Sequence, residues 1–247
     1  MLATERHAEL RRLAEAQGTI IVSEVARNWN VSEMTIRRDL RELEQEGVVA
    51  RVHGGAVAGD HLRWRARLDR YGHEKAKAVA KVIDRLPQRG CIYLDGSTTI
   101  YTLIERIDSK TVLKVVTNNV DTFQRLNICR HIEPILIGGN HNRETDNFIG
   151  PLARLCLNHL SFDAAFFSSY GVQADLGTVE PSLDDAEIKQ IVCERSRAIH
   201  IAVNHEKLGR PASAVWTAPT DKTTFSTDLA PADDRLDPFR TFFATIL

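Results

Sequence analysis

Three short helices with a β-hairpin, followed by a mainly parallel α/β domain, is the architecture this sequence predicts. Three observations carry it. The first sixty residues hold short amphipathic stretches broken by polar turns and glycine, closed by an alternating run into His53-Gly54-Gly55. After Gly90, short apolar runs alternate with polar loops and helical stretches. Strands alternating with helices give a mainly parallel sheet, whose ligand sites lie at the strand carboxyl ends. Between these parts, from His61 to Lys81, the composition turns basic. The boundaries that follow are 1–58 for the first domain, 59–73 for a linker and 74–247 for the second domain.

The elements follow in order. Residues 4–16 form an amphipathic helix with Leu10, Leu13 and Ala14 on one side, stopped by Gly18. A short apolar stretch leads to a helix near 23–29, with Ser23 placed to cap it. Ser32 is placed to cap a third helix that Gly47 ends, and "VVARVHGGAV" alternates like a strand into a glycine turn. In the basic segment, Arg63, Arg65, Arg67, Arg70, Lys75, Lys77 and Lys81 outnumber Asp69 and Glu74. "EKAKAVAKVIDRL" there reads as a helix with Ala76, Val79, Ala80 and Ile83 on one face. Then come strand "CIYLD", loop "GSTT" and a helix; strand "VLKVVT", loop "NN" and a helix; strand "EPILIGG", a polar loop and helix "GPLARLCLNHL". Strand "DAAFFSS", loop "YGVQADLG", helix "DDAEIKQIVCERS" and strand "AIHIAV" complete the alternation.

Composition bounds the function classes. At 247 residues, 43% apolar and 26% charged, the chain is ordinary globular protein with room for a small module and a larger one. The net charge of -1 gives no bulk attraction to nucleic acid, so any such face has to be local. Cys91, Cys129, Cys156 and Cys193 are far apart and mostly in apolar runs, which suits buried reduced thiols rather than a zinc ribbon or disulfide frame. The nine histidines show no metal-ligand spacing, and His141 and His159 read as structural. No apolar run reaches spanning length and the start has no signal-type core, so a cytoplasmic protein is expected, with no membrane partner and no cofactor.

The third helix poses the functional question. At about 100° per residue, Ile36, Leu40 and Leu43 form one stripe and face a core. Arg38 lies nearly opposite, beside Met34, Arg41 and Gln45, with Thr35 and Arg37 on the flanks and Glu44 and Glu46 toward the far end. Taken alone, the arginine pair reads as a solvated face, with Asp39 or Glu42 as ion partners. The capped helix–turn–helix spacing before it, and the strand with Arg51 and His53 after it, shift the reading toward DNA. The helix then presents basic and small polar residues to base edges, and the hairpin forms a wing whose Arg51 and His53 face the phosphate backbone.

These residues resemble the winged helix–turn–helix of the DeoR family of bacterial transcription regulators. The resemblance rests on Val31-Ser32, Thr35-Ile36-Arg37-Arg38-Asp39-Leu40, Leu43-Glu44, Gly47, Arg51 and His53-Gly54-Gly55-Ala56. It implies that Ser32, Met34, Thr35, Arg37, Arg38, Arg41, Arg51 and His53 contact double-stranded operator DNA, Met34 at a variable position of the pattern. It continues more loosely toward the carboxyl terminus, implying a sensor domain that resembles ribose-5-phosphate isomerase and CoA-transferase folds and takes a phosphorylated sugar or polyol.

Its phosphate loop looks like Asp95-Gly96-Ser97-Thr98-Thr99, where amides and hydroxyls at a strand-to-helix turn meet an anion; a plain capped turn is the alternative. Thr117, Asn118 and Asn119 match a second family loop, and Gly138-Gly139 and Gly150-Pro151 match turns whose role reads as backbone geometry. Gly139, Lys189 and Lys207 complete the implied effector set, with Lys189 also readable as a solvated lysine. The chain departs from the family pattern at Asn204, where Asp is usual, at Glu206, where Ser is usual, and at Ser168, where Gly is usual.

The function expected is a sequence-specific regulator, a repressor of a carbohydrate or polyol catabolic operon acting as a homodimer or homotetramer. The alternative is a sugar-phosphate isomerase or transferase with an accessory DNA module, for which Asp95, Glu180, Asp184, Asp185 and Glu187 are available carboxylates. None of these stands in a motif that demands catalysis, so no catalytic residue is expected.

Overall fold

The computed structural model describes residues 2–46, 48–58, 67–143, 145–217, 221–243 and 245–247. The chain divides into two compact units, Met1–Arg70 and Tyr71–Leu247. Residues 59–66 of the expected linker, with Arg63 and Arg65, lie outside the described residues, as does Gly47.

The first unit runs α1 (Ala3–Gln17), β1 (Thr19–Ile21), α2 (Val22–Trp29), α3 (Glu33–Gln45), β2 (Val49–Val52) and β3 (Gly55–Ala58). Leu10, Ala14, Ile20, Val25, Ile36, Leu40, Leu43, Val49 and Ala56 are its buried centre, so the stripe on the third helix is where the wheel puts it. The apolar stretch before α2 is itself a strand. It makes a third member of the wing sheet, in the order β1-β3-β2, with Ile20 opposite Ala56. Ser23 does not cap α2, which begins one residue earlier without any side-chain cap. The Gly54 carbonyl instead accepts from the Val22 amide at 3.1 Å, so the hairpin turn satisfies the helix start. That crossing also explains the glycine pair. Gly54 has φ +81°, and a Cβ on Gly55 would lie 2.0 Å from the Ile20 carbonyl oxygen.

The second unit is a seven-stranded, wholly parallel sheet in the order β15-β14-β12-β9-β4-β5-β6. Its strands are β4 (Arg89–Leu94), β5 (Val112–Thr117), β6 (Ile132–Leu136), β9 (Ala164–Phe167), β12 (Ile199–Ala202), β14 (Thr223–Ser226) and β15 (Thr245–Ile246). Helices α4 (Gly72–Ala80), α5 (Thr98–Ile104), α6 (Val120–Asn127), α7 (Pro151–Asn158) and α8 (Leu183–Glu194) alternate with them. The chain goes from β4 outward to β6, then returns to place β9 on the other side of β4. The point between β4 and β9 is therefore a topological switch, and in open parallel sheets ligands bind at the strand carboxyl ends beside such a point.

Three expectations change here. The buried stripe of α4 is Lys75, Ala78 and Val79, continued by Val82, whereas Ala80 is exposed. Cys156 is exposed on α7 and only Cys193 is buried, so the thiols are not a buried set; all four are free. The two stretches read as polar loops enter small antiparallel sheets, one of two strands and one of three. These are β7 (Asn140–Asn142) with β8 (Asn147–Ile149), and β10 (Gly171–Gln173) with β11 (Gly177–Glu180) and β13 (Ala214–Thr217). Among the described residues no helix is long and apolar enough to cross a membrane.

Candidate functional site

The exposed surface of α3 is built from its cap outward. Ser32 Oγ accepts from the Thr35 amide at 3.1 Å and lies 2.9 Å from Thr35 Oγ1, so both residues fix the helix start. Met34 stands 70% exposed. Arg37 Nη2 donates to Glu33 Oε2 at 2.8 Å, one turn back. Arg38 and Arg41 are exposed and form no ion pair among the described residues. Asp39 does not neutralise them. It is buried on the other side of the helix, where Arg6 of α1 donates to both its oxygens at 2.6 and 3.1 Å. Burial would raise the Asp39 carboxyl, but the Arg6 bonds outweigh it and hold it below its ordinary value. Glu42 turns the same way, toward His7 at 3.6 Å. Arg51 is taken up by Glu44, which accepts from its Nε at 2.7 Å and its amide at 2.9 Å. His53 is exposed on the turn.

At the switch point of the second unit, one buried serine gathers the charged groups. Ser168 follows β9, and its amide donates to Asp95 Oδ2 at 2.8 Å. Its carbonyl accepts from Lys189 Nζ at 2.8 Å, and its hydroxyl accepts from Lys207 Nζ at 2.8 Å. Asp95, directly after β4, uses Oδ1 to take the Ser97 amide at 3.0 Å and hydroxyl at 2.6 Å, which shapes the Gly96–Thr99 turn. Lys189 lies between Glu180, its hydrogen-bond partner, and Asp95 at 3.4 Å. Burial pushes its ammonium down, but these carboxylates more than offset that and raise it. Lys207 is supported less: Glu180 and Asp95 raise it without an ion pair among the described residues, while Lys189 and Lys75 lower it. It is half-buried, its one hydrogen bond among the described residues goes to a neutral hydroxyl, and burial pushes its pKa down to about 7.

Lys75 belongs to this group and sequence reasoning did not single it out. It is 4% exposed on α4 and donates to Thr98 Oγ1 at 3.0 Å, so a third ammonium stands on the phosphate-type turn. The available signal was a lysine on the same helical face as Ala78, Val79 and Val82.

The second loop lies alongside the first, since a Cβ on Gly96 would fall 2.8 Å from Asn119. Its side chains serve the fold. Thr117 Oγ1 accepts the Asn119 amide at 3.2 Å, and Asn118 bonds the Tyr93 hydroxyl at 2.7 Å and the Phe148 carbonyl at 2.9 Å. Asn119 caps α6 and donates to Asn147 Oδ1 at 3.0 Å. Thr99 is fully buried, and Gly139, at φ +157°, leaves 2.5 Å between an added Cβ and the Ile149 carbonyl. Among the described residues no cluster of His, Cys, Asp and Glu is placed to hold a metal ion.

Comparison with known proteins converges on one family. Residues 6–61 match the DeoR-like helix-turn-helix domain and residues 71–229 match the DeoR C terminal sensor domain. The chain belongs to the DeoR family of transcriptional regulators. It is 31% identical over 232 residues to the uncharacterized HTH-type transcriptional regulator FruR of Bacillus subtilis, covering 92% of each chain. It is 30% identical over 243 residues to the lactose phosphotransferase system repressor of Streptococcus mutans, covering 96% of each. The HTH-type transcriptional regulator IolR of Bacillus subtilis is 25% identical, over 93% of this chain and 92% of that one. Among solved structures, ribose 5 phosphate isomerase A from Neisseria gonorrhoeae is 16% identical, with a TM-score of 0.37 over 54% of this chain and 52% of its own. This DeoR-family chain is a DNA-binding regulator with a sensor domain, and the relatives it matches are regulators rather than enzymes.

Proposed function

We propose that this DeoR-family regulator represses a carbohydrate or polyol catabolic operon in the cytoplasm and answers to a phosphorylated sugar or polyol bound at the β4–β9 switch point. In this reading residues 1–58 hold the operator, 59–73 link, and 74–247 sense. Ser32, Met34, Thr35, Arg37, Arg38, Arg41, Arg51 and His53 form the DNA face. The effector phosphate sits among Lys75, Lys207, Ser97 and Thr98, with Lys189 and Asp95 holding the pocket wall. Thr99, Thr117, Asn118, Asn119 and Gly139 shape that wall from behind.

The observation that carries the reading is Lys207, an ammonium whose one hydrogen bond among the described residues is to a serine hydroxyl. A half-buried cation without a carboxylate partner is costly, and an incoming dianion removes that cost. The lactose and iol names of the relatives support the carbohydrate and polyol side of the proposal. A homodimer or homotetramer is expected, because one short helix reads few bases and paired half-sites double the contact. Footprinting with and without a panel of sugar and polyol phosphates tests it. Protection relieved by one of them supports the proposal. Protection unmoved by every compound that binds the chain in a thermal-shift screen counts against it.

A further inference from the structure

The first turn of α3 carries a carboxylate where a DNA-reading helix is expected to be uniformly basic. Glu33 is the first residue of α3, its side chain is 48% exposed, and its Oε2 accepts from Arg37 Nη2 at 2.8 Å. Arg37 is itself 52% exposed. Side chains on a helix lean toward its amino end, so this pair projects with Met34 from the end of the helix that enters the major groove. Glu33 Oε1, and the Nε and Nη1 of Arg37, form no hydrogen bond among the described residues. The pair therefore offers one free acceptor beside free donors.

A carboxylate near two phosphate strands weakens binding to every sequence alike unless a base repays it. In the major groove that repayment must come from an exocyclic amino group, and cytosine N4 is the donor a carboxylate takes. Arginine takes guanine O6 and N7. A Glu–Arg pair fixed side by side thus matches a cytosine next to, or paired with, the guanine that Arg37 holds.

We infer that Glu33 is a base-specificity residue that selects cytosine at one operator position, held in place by Arg37. The inference rests on α3 being the recognition helix, which the experiment checks separately. The full chain is used to select duplexes from a randomised library, and the same is done with Glu33→Gln. Wild type should enrich cytosine at one position by about tenfold over the next base, next to or paired with an enriched guanine. Glu33→Gln should move that one position toward adenine, which glutamine reads through N6 and N7, and leave the other positions unchanged. Arg37→Lys should blur both positions together, because it removes the planar guanidinium whose Nη2 holds the carboxylate. If Glu33→Gln gives the wild-type base preferences with uniformly tighter binding, Glu33 is only a negative charge and the inference is overturned. If wild type enriches no position, the recognition-helix reading falls and the inference falls with it.

Discussion

Raising the pH from about 6.5 to about 8.5 should weaken effector binding roughly twentyfold, and the cause is one ammonium. With its pKa near 7, Lys207 is about three-quarters charged at the lower pH and about 3% charged at the higher. A bound dianion restores the charged form to its ordinary range, so the apparent association constant follows the charged fraction of the free protein. That gives about 25-fold, offset slightly by the second ionisation of a phosphate ester near 6, which favours the higher pH.

Calorimetry in two buffers of different ionisation enthalpy reads the same event as protons taken up. About one proton per ligand is expected at the higher pH and almost none at the lower, where the roughly one quarter taken up by Lys207 is matched by the quarter the phosphate gives up. Stability of the free protein moves the other way. The folded pKa lies below the unfolded one, so the unfolded chain binds more protons between about 7 and 10.5. Unliganded stability therefore rises with pH across that window, and the penalty is fully present only below it. Lys207→Met should flatten both trends. An affinity that stays constant over this range, with no proton uptake, refutes the reasoning.

Three further outcomes follow from the first unit. Asp39→Ala leaves Arg6 without its carboxylate in a buried position and should cost up to about 3 kcal/mol of stability, read by denaturant unfolding of the full chain. Gly55→Ala drives a Cβ into the Ile20 carbonyl and should cost about 3 kcal/mol or more, with loss of DNA binding as the wing sheet shifts. Arg38→Ala should weaken operator binding by about 1–3 kcal/mol if Arg38 holds a guanine, with relaxed choice at one position. A uniform loss with a salt slope smaller by about one assigns it to a phosphate instead, and no change in gel-shift affinity removes it from the DNA face.

The first unit was legible because its signals are local. The cap at Ser32 and the stripe at Ile36, Leu40 and Leu43 are set by spacing along one helix. What spacing cannot show is which partner a charge finds across the fold, and so Asp39 was placed beside the arginines rather than under Arg6, thirty-three residues away. Ser23 misled for a similar reason, since its capping role had been taken by the Gly54 carbonyl. In the second unit the strand-to-helix rhythm marks the parallel sheet, but β14 carries no apolar run to mark it, because "TTFS" is buried with three hydroxylated residues. The charged cluster around Ser168 was half visible. Asp95, Lys189 and Lys207 came from resemblance, whereas Lys75 and the joining role of Ser168 depend on contacts between segments up to 73 residues apart.

Effector binding at the proposed site does not by itself alter DNA binding; the effector has to prefer one of two arrangements, and its preference sets the limit of the response. Ser168 is where such a preference can arise. Its amide and carbonyl tie Asp95 and Lys189 through backbone atoms that no substitution of its side chain removes, while its hydroxyl alone ties Lys207. Lys207 sits on a segment anchored elsewhere, with the Gly209 amide donating to the Val172 carbonyl at 2.7 Å and His205 bonded to Asp228 at 2.7 Å. An anion that draws the ammonium off Ser168 therefore loosens one tie and pulls on the segment that meets β10. Ser168→Ala makes that break permanently, at the cost of a charged hydrogen bond of about 1.5–3 kcal/mol. Without effector, the variant should bind operator as weakly as wild type does with effector, and added effector should change it little. Wild-type operator affinity together with a full effector response in Ser168→Ala means that this tie plays no part in the switch.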